Sequence, residues 1–218
     1  MKSLQAIIAA TALASSTLLA QPSITTQYAT NDVAGAGFVF SETPVAKTKV
    51  TLENNHGYVN FQQVARTNAP RKFFYNVAGI GTSYDLPKAN VAIEFDTVNV
   101  GGFGRTNELW MKATAKAPLS PALEYICDSG ADSGQYAALS ISKNGKVGDV
   151  NFGVEAAVGY NHNLSRDMSG FSHARLDLTA SKQVTPHLSV EATARLQKAI
   201  SKLFTEEQMY QASATYKF

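Results

Sequence analysis

The sequence predicts an all-β chain: an antiparallel transmembrane β-barrel of about twelve strands (ten possible), after a cleavable N-terminal signal peptide. Three observations carry that prediction. Segments of roughly ten residues alternate apolar and polar side chains, the period of a strand with two different faces. The chain opens with the residue order of an export signal. It ends on Phe218, inside an alternating pattern, in the stretch QASATYKF.

The opening MKSLQAIIAATALASSTLLAQPS has Lys2 in a short n-region, an apolar run from Leu4 to Leu19, and the small residue Ala20 before Gln21-Pro22. That order predicts export and cleavage near Ala20. No later apolar run reaches the roughly 20 residues of a membrane-spanning helix, so any span must be β. The expected division is 1–20 signal peptide, 21–35 flexible polar lead-in, and 36–218 barrel domain.

The strands follow in order. Segments 37–42, 46–53 and 57–65 alternate weakly, with breaks at Asn54-Asn55 and Gln62-Gln63. Segment 73–84 is another weak candidate. In 91–97, Val91, Ile93 and Phe95 oppose Ala92, Glu94 and Asp96. In 106–116, Leu109, Met111, Ala113 and Ala115 oppose Glu108, Trp110, Lys112, Thr114 and Lys116. Segments 122–128 and 134–142 are shorter, and KNGKVG, 143–148, reads as a compact turn. In 149–160, Val150, Phe152, Val154, Ala156, Val158 and Tyr160 alternate with Asn151, Gly153, Glu155, Ala157 and Gly159. In 173–183, Ala174, Leu176, Leu178 and Ala180 alternate with Arg175, Asp177, Thr179 and Ser181. In 187–197, Leu188, Val190, Ala192, Ala194 and Leu196 share one face, and Ser189, Glu191, Thr193 and Arg195 the other. The last strand is 208–218. Near the C-terminus, the tight turn Val184-Thr185-Pro186 alternates with the longer 162–171 and 198–207, the turn habit of outer-membrane barrels.

Alternation alone fits a soluble sandwich as well as a barrel. Strand length, export and recurring charge on the polar face favour the barrel. Composition excludes other classes. The chain of 218 residues has 19 basic and 17 acidic side chains, a net of +2, and no basic cluster, so nucleic acid is not an expected partner. The single cysteine, Cys127, excludes an internal disulfide and reads as a small residue at a strand end.

Tyr210, Tyr216 and Phe218 sit on one face of the final strand, and a terminal Phe with apolar residues at every second position resembles the sorting signal of bacterial outer-membrane barrels. The second half is similar to the TorF-like porin group of these proteins. The resemblance rests on Thr106-Asn107-Glu108-Leu109, on LSPALEYICDSGADSGQYAALSIS at 119–142, on VNFGVEAAVGYNHN at 150–163, and on GFSHARLDLTASKQVTPHLSVEATARL at 170–196. It covers residues 105–218; in the first half, GAGFVFSET at 35–43 is a shortened echo of that group's opening strand. The resemblance implies a barrel in the Gram-negative outer membrane that passes small solutes.

A channel's functional residues are lumen charges. Those expected here are Glu94, Asp96, Glu108, Lys112, Lys116, Arg175, Asp177, Glu191 and Arg195, with mixed signs and therefore weak ion selectivity. Trp110 falls in the same register. An enzyme is not expected: His162, His173 and Asp167 with Ser165 or Ser172 would be the candidates, and no catalytic signature surrounds them. No cofactor and no metal is expected. The expected partners are outer-membrane lipid, the barrel-insertion machinery and small solutes, and the chain is expected to be a monomer. A closed barrel with a structural or surface-interaction role is the alternative.

Overall fold

The computed structural model describes residues 20–33, 39–67, 73–100, 104–130, 133–164, 169–201, 204 and 206–218. The predicted signal segment lies outside them, except for Ala20. Twelve strands close into one antiparallel barrel: β1 (Gln21–Ala29), β4 (Val45–Asn54), β5 (Gly57–Arg66), β6 (Phe73–Asp85), β7 (Ala89–Val100), β8 (Gly104–Ala115), β9 (Ala122–Asp128), β10 (Gly134–Val147), β11 (Val150–His162), β12 (Ser169–Gln183), β13 (Leu188–Ala199) and β14 (Glu207–Lys217). Each strand pairs with its neighbours in sequence, and β1 closes the ring by pairing with both β4 and β14. Two short strands, β2 (Asp32–Val33) and β3 (Val39–Ser41), form a separate two-stranded ribbon. A closed ring excludes the sandwich.

The period-two patterns decide which face points where. Large apolar side chains occupy the outer face, among them Leu139 at 63% exposure and Phe171 at 58%. An apolar exterior all round a closed barrel is the surface of a protein solvated by lipid tails. Every outward set predicted from 91–97, 106–116, 149–160, 173–183 and 187–197 keeps its face in the observed pairings. Tyr210, Tyr216 and Phe218 also point outward. The Tyr216 and Phe218 rings meet edge-to-face with centroids 5.0 Å apart, and Phe218 N donates to Pro22 O at 3.1 Å.

Three expectations change. The flexible lead-in 21–35 is wrong over its first nine residues, which form β1. Its outer face offers only Ile24 and Tyr28, and Ser23, Thr25 and Gln27 face inward, so the segment reads as polar although it closes the barrel. At the seam the hydroxyls of Thr25 and Thr215 lie 2.8 Å apart. Segment 37–42 is not a wall strand: Val39–Ser41 pairs with β2 instead. KNGKVG is strand through Val147, and the chain reverses over Gly148 and Asp149. Gly148 has φ +58°, which a two-residue hairpin turn requires at its first position.

The start of β1 at Gln21, the C-terminal Phe218 and the turns at 55–56, 86–88, 116–121, 148–149 and 184–187 mark one end of the barrel, the terminal end. At the other, loop end, Asn31, Asp32, Ser41 and Leu164 of the connecting segments are buried. There, Ala29, Val45, Val64 and Met209 form a buried apolar collar with Tyr75 packed against it. Beneath the ribbon, Lys47 Nζ lies 2.5 Å from Oδ1 of Asp32, which is 1% exposed. Asn31 donates to Glu207 Oε2 at 2.8 Å. Across the lumen Tyr136, Ala138 and Leu164 form a second buried cluster with Ile126. The Tyr136 and His173 rings stack with centroids 6.0 Å apart, and they occupy the space where Gly159 has no side chain.

Because a Cβ at position 159 would lie 2.6–2.9 Å from both rings, Gly159→Val should destabilise the barrel by about 1–3 kcal/mol. Urea unfolding in detergent micelles checks this, and an unchanged midpoint would contradict it.

Candidate functional site

The inward register of twelve strands makes one shared space, and its chemistry is charged. Acidic side chains there are Glu53, Asp85, Glu94, Asp96, Glu108, Glu124, Asp128, Glu155, Asp177, Glu191 and Glu207; basic ones are Lys47, Lys49, Arg66, Lys112, Lys146, Arg175, Arg195 and Lys217. Acids outnumber bases on this face, although the chain as a whole is slightly basic. The remaining Lys and Arg of the wall strands, Arg105, Lys143, Lys182 and Lys198, fall on the outward register.

The signs are not evenly spread. On β7–β9 the cross-strand order runs Asp96, Glu108, Asp128 at one level, and Glu94, Trp110, Ile126 at the next. Glu94 accepts from Tyr58 OH at 2.7 Å and from Asn60 Nδ2 at 2.5 Å. Gly79 and Gly81 pair with Asp96 and Glu94, and a side chain at either glycine would collide with Asp96 or with the Tyr58 ring. Asp128 accepts from the Thr106 hydroxyl and from Gly130 N. Glu94 and Asp128 are held by neutral donors, and among the described residues none of the four carboxylates Glu94, Asp96, Glu108 and Asp128 is in an ion pair. Among the described residues no group of three or more His, Cys, Asp or Glu is placed to hold a metal ion.

The opposite wall is an ion-pair ladder. Asp177 receives Nε and Nη2 of Arg195 at 2.7 and 3.0 Å, a two-pronged contact. Arg175 Nη2 donates to Glu155 Oε1 at 2.7 Å, and its Nε lies 3.4 Å from Asp177 Oδ2. Lys112 Nζ reaches Glu155 Oε2 at 3.6 Å. Antiparallel register builds this ladder: Glu155 pairs with Asp177, and Asp177 with Arg195. Like charges facing directly across strands repel, and the interleaved guanidiniums offset that repulsion between Glu155 and Asp177.

The nine predicted lumen residues therefore fall into distinct settings. Glu94, Asp96 and Glu108 share the acidic wall. Arg175, Asp177 and Arg195 share the ladder, with Lys112 beside it. Lys116 pairs with Asp85 at the terminal rim. Glu191 lies opposite Ser181 and Ser213, toward the terminal end. Trp110 lies inward and donates Nε1 to Glu124 Oε1 at 3.2 Å. Sequence reasoning passed over Lys47, Lys49, Glu124, Asp128 and Glu155. Their period-two offset was the available signal, weakest where the early strands and short β9 break the pattern.

Among the described residues the two candidate histidines bond to different serines. His162 Nδ1 is bonded to Ser169 Oγ at 2.6 Å on the exposed loop rim. His173 Nδ1 is bonded to Ser172 Oγ at 3.0 Å, and both residues are fully buried. Ser165 and Asp167 lie outside the described residues.

An apolar exterior, a charged interior and a closed twelve-stranded ladder define the class: a transmembrane barrel with the fold of outer-membrane porin-like channels. No family model matches the chain, and no curated protein matches it in sequence. Solved structures do. The chain is similar to the KdgM porin, with TM-score 0.60 and 11% identity over 90% of this chain and 99% of that one. It is similar to the NanC porin, with TM-score 0.58 and 10% identity over 90% of this chain and 100% of that one. It is similar to the COG4313 outer-membrane channel from Pseudomonas putida F1, with TM-score 0.56 and 10% identity over 91% and 95% of the two chains. At such identity the likeness is one of fold.

Asp177→Ala and Arg195→Ala should show non-additive losses of stability, with a coupling of about 1–2 kcal/mol for residues in direct ionic contact. A double-mutant cycle by urea unfolding measures it, and strictly additive losses would remove the ladder from the stability argument.

Proposed function

We propose that the protein is a passive channel for small polar solutes in the bacterial outer membrane, exported through its N-terminal segment and weakly selective for cations. One observation carries this reading: a closed barrel with an apolar exterior encloses an inward register on which, among the described residues, acids outnumber bases. A net negative lumen raises the local concentration of cations and lowers that of anions. The selectivity is weak because Arg175 and Arg195 answer Glu155 and Asp177 directly, leaving the β7–β9 wall to set the sign. The TorF-like relationship belongs to this proposal. So do a monomeric state and the role of Tyr210, Tyr216 and Phe218 in delivery to the insertion machinery. The neighbours' descriptions as porins and channels support a non-enzymatic role.

The loop-end clusters favour a second reading, a barrel closed at that end with a structural or surface role. Tyr136, His173, Val45 and Val64 fill lumen cross-section with side chains that are almost fully buried.

Planar-bilayer recording of the signal-cleaved protein separates the two. Discrete current steps are expected, with a reversal potential favouring cations. Glu94→Lys together with Asp96→Lys should move that potential toward anions. Silence from protein shown to have inserted would favour the closed barrel, and an unmoved potential would take both carboxylates out of the conduction path.

A further inference from the structure

A recess opens in the lumen wall formed by β10–β14, on the terminal side of the Met209 collar. Its volume is about 380 Å³, within the size range of small-molecule sites. Four charged side chains line it: Glu155, Arg175, Asp177 and Arg195. They are matched in sign and bonded to one another, so the recess has no charge of its own to offer.

The rest of its polar lining is uncharged: Ser142, Asn144, Thr179, Thr193 and Gln211. None of these five side chains has a hydrogen-bond partner among the described residues. Two of them converge on one spot. A side chain at Gly153 would collide with the Thr179 hydroxyl and lie 2.8 Å from Asn144 Oδ1. The missing Cβ leaves open the space in front of both groups.

We infer that this recess is a dwelling site for an uncharged, hydroxyl-rich solute of about monosaccharide size. An anion entering it must compete with Asp177 and Glu155 for guanidiniums already engaged. A cation must compete with the guanidiniums for the carboxylates. An uncharged hydroxyl meets neither cost. It donates and accepts, as do the hydroxyls and amides lining the recess, and it exchanges its water for matched partners. The acidic wall then biases ions, while the neutral wall holds the neutral solute. The role of the recess as a station during passage rests on the channel reading; binding to it does not.

The test is calorimetric titration of the detergent-solubilised full chain with glucose, glucuronate and glucosamine, which share one ring and differ in charge. Glucose should bind more tightly than either charged sugar, by about tenfold, the worth of one or two hydrogen bonds. Thr179→Val with Thr193→Val should weaken glucose binding by about the same factor. Gly153→Ala should weaken it too by filling the recess, and it serves if the double variant fails to fold. The inference is overturned if glucose does not bind, if it binds no tighter than glucuronate or glucosamine, or if a folded variant binds it unchanged. Glucose binding by protein that is silent in planar bilayers would uphold the site and remove the channel. Currents without glucose binding would do the reverse.

Discussion

Closure of the hydrogen-bond ladder is the constraint on which the rest of the molecule depends. Hydrocarbon offers no partner for a backbone N–H or C=O, and each one left unmatched costs several kcal/mol. A sheet in lipid therefore cannot have an edge. Here β1 removes both edges at once by pairing with β4 on one side and β14 on the other. Once the ring is closed, the strand period leaves each side chain two choices, lipid or lumen. The apolar sets take the first, and everything that water must solvate shares the second.

That sharing turns separate strands into a site. Glu94, Asp96, Glu108 and Asp128 come from three strands, and their register brings them to one wall. Glycines at 79 and 81 leave room beside them for carboxylates and the Tyr58 ring. On the other side Glu155, Arg175, Asp177 and Arg195 come from three more strands and cancel one another. The lumen thus has one wall with a net field and one without. Apolar and aromatic side chains narrow its loop end, and the turns at the terminal end are short.

The strands with full alternation were legible in the sequence down to the face of each residue. Val91 to Asp96 and Leu188 to Leu196 illustrate this: every side chain lies where its parity puts it. The strand number was legible too, although one member was misassigned. Gln21–Ala29 hid because a strand at the seam needs little on its outer face beyond Ile24 and Tyr28, and short polar residues inside look like a linker. Val39–Ser41 misled for the opposite reason. Its apolar residues suggested a wall strand, and the chain uses it in a ribbon with β2. Lys47 was passed over in the same region, and only the folded chain sets it against Asp32.

What the sequence determined by itself was parity, which sorts the residues of each strand into an apolar face and a polar face. Parity is local, since neighbours along a strand point opposite ways whatever pairs with them. What only the tertiary structure decided was company. Whether Arg195 faces Asp177 or solvent, whether Asp96 meets a cation or another carboxylate, and whether Asn144 and Thr179 converge over Gly153 all depend on the register between strands. Register is set by ring closure and turn geometry across the whole chain, and a one-residue slip would change every partner.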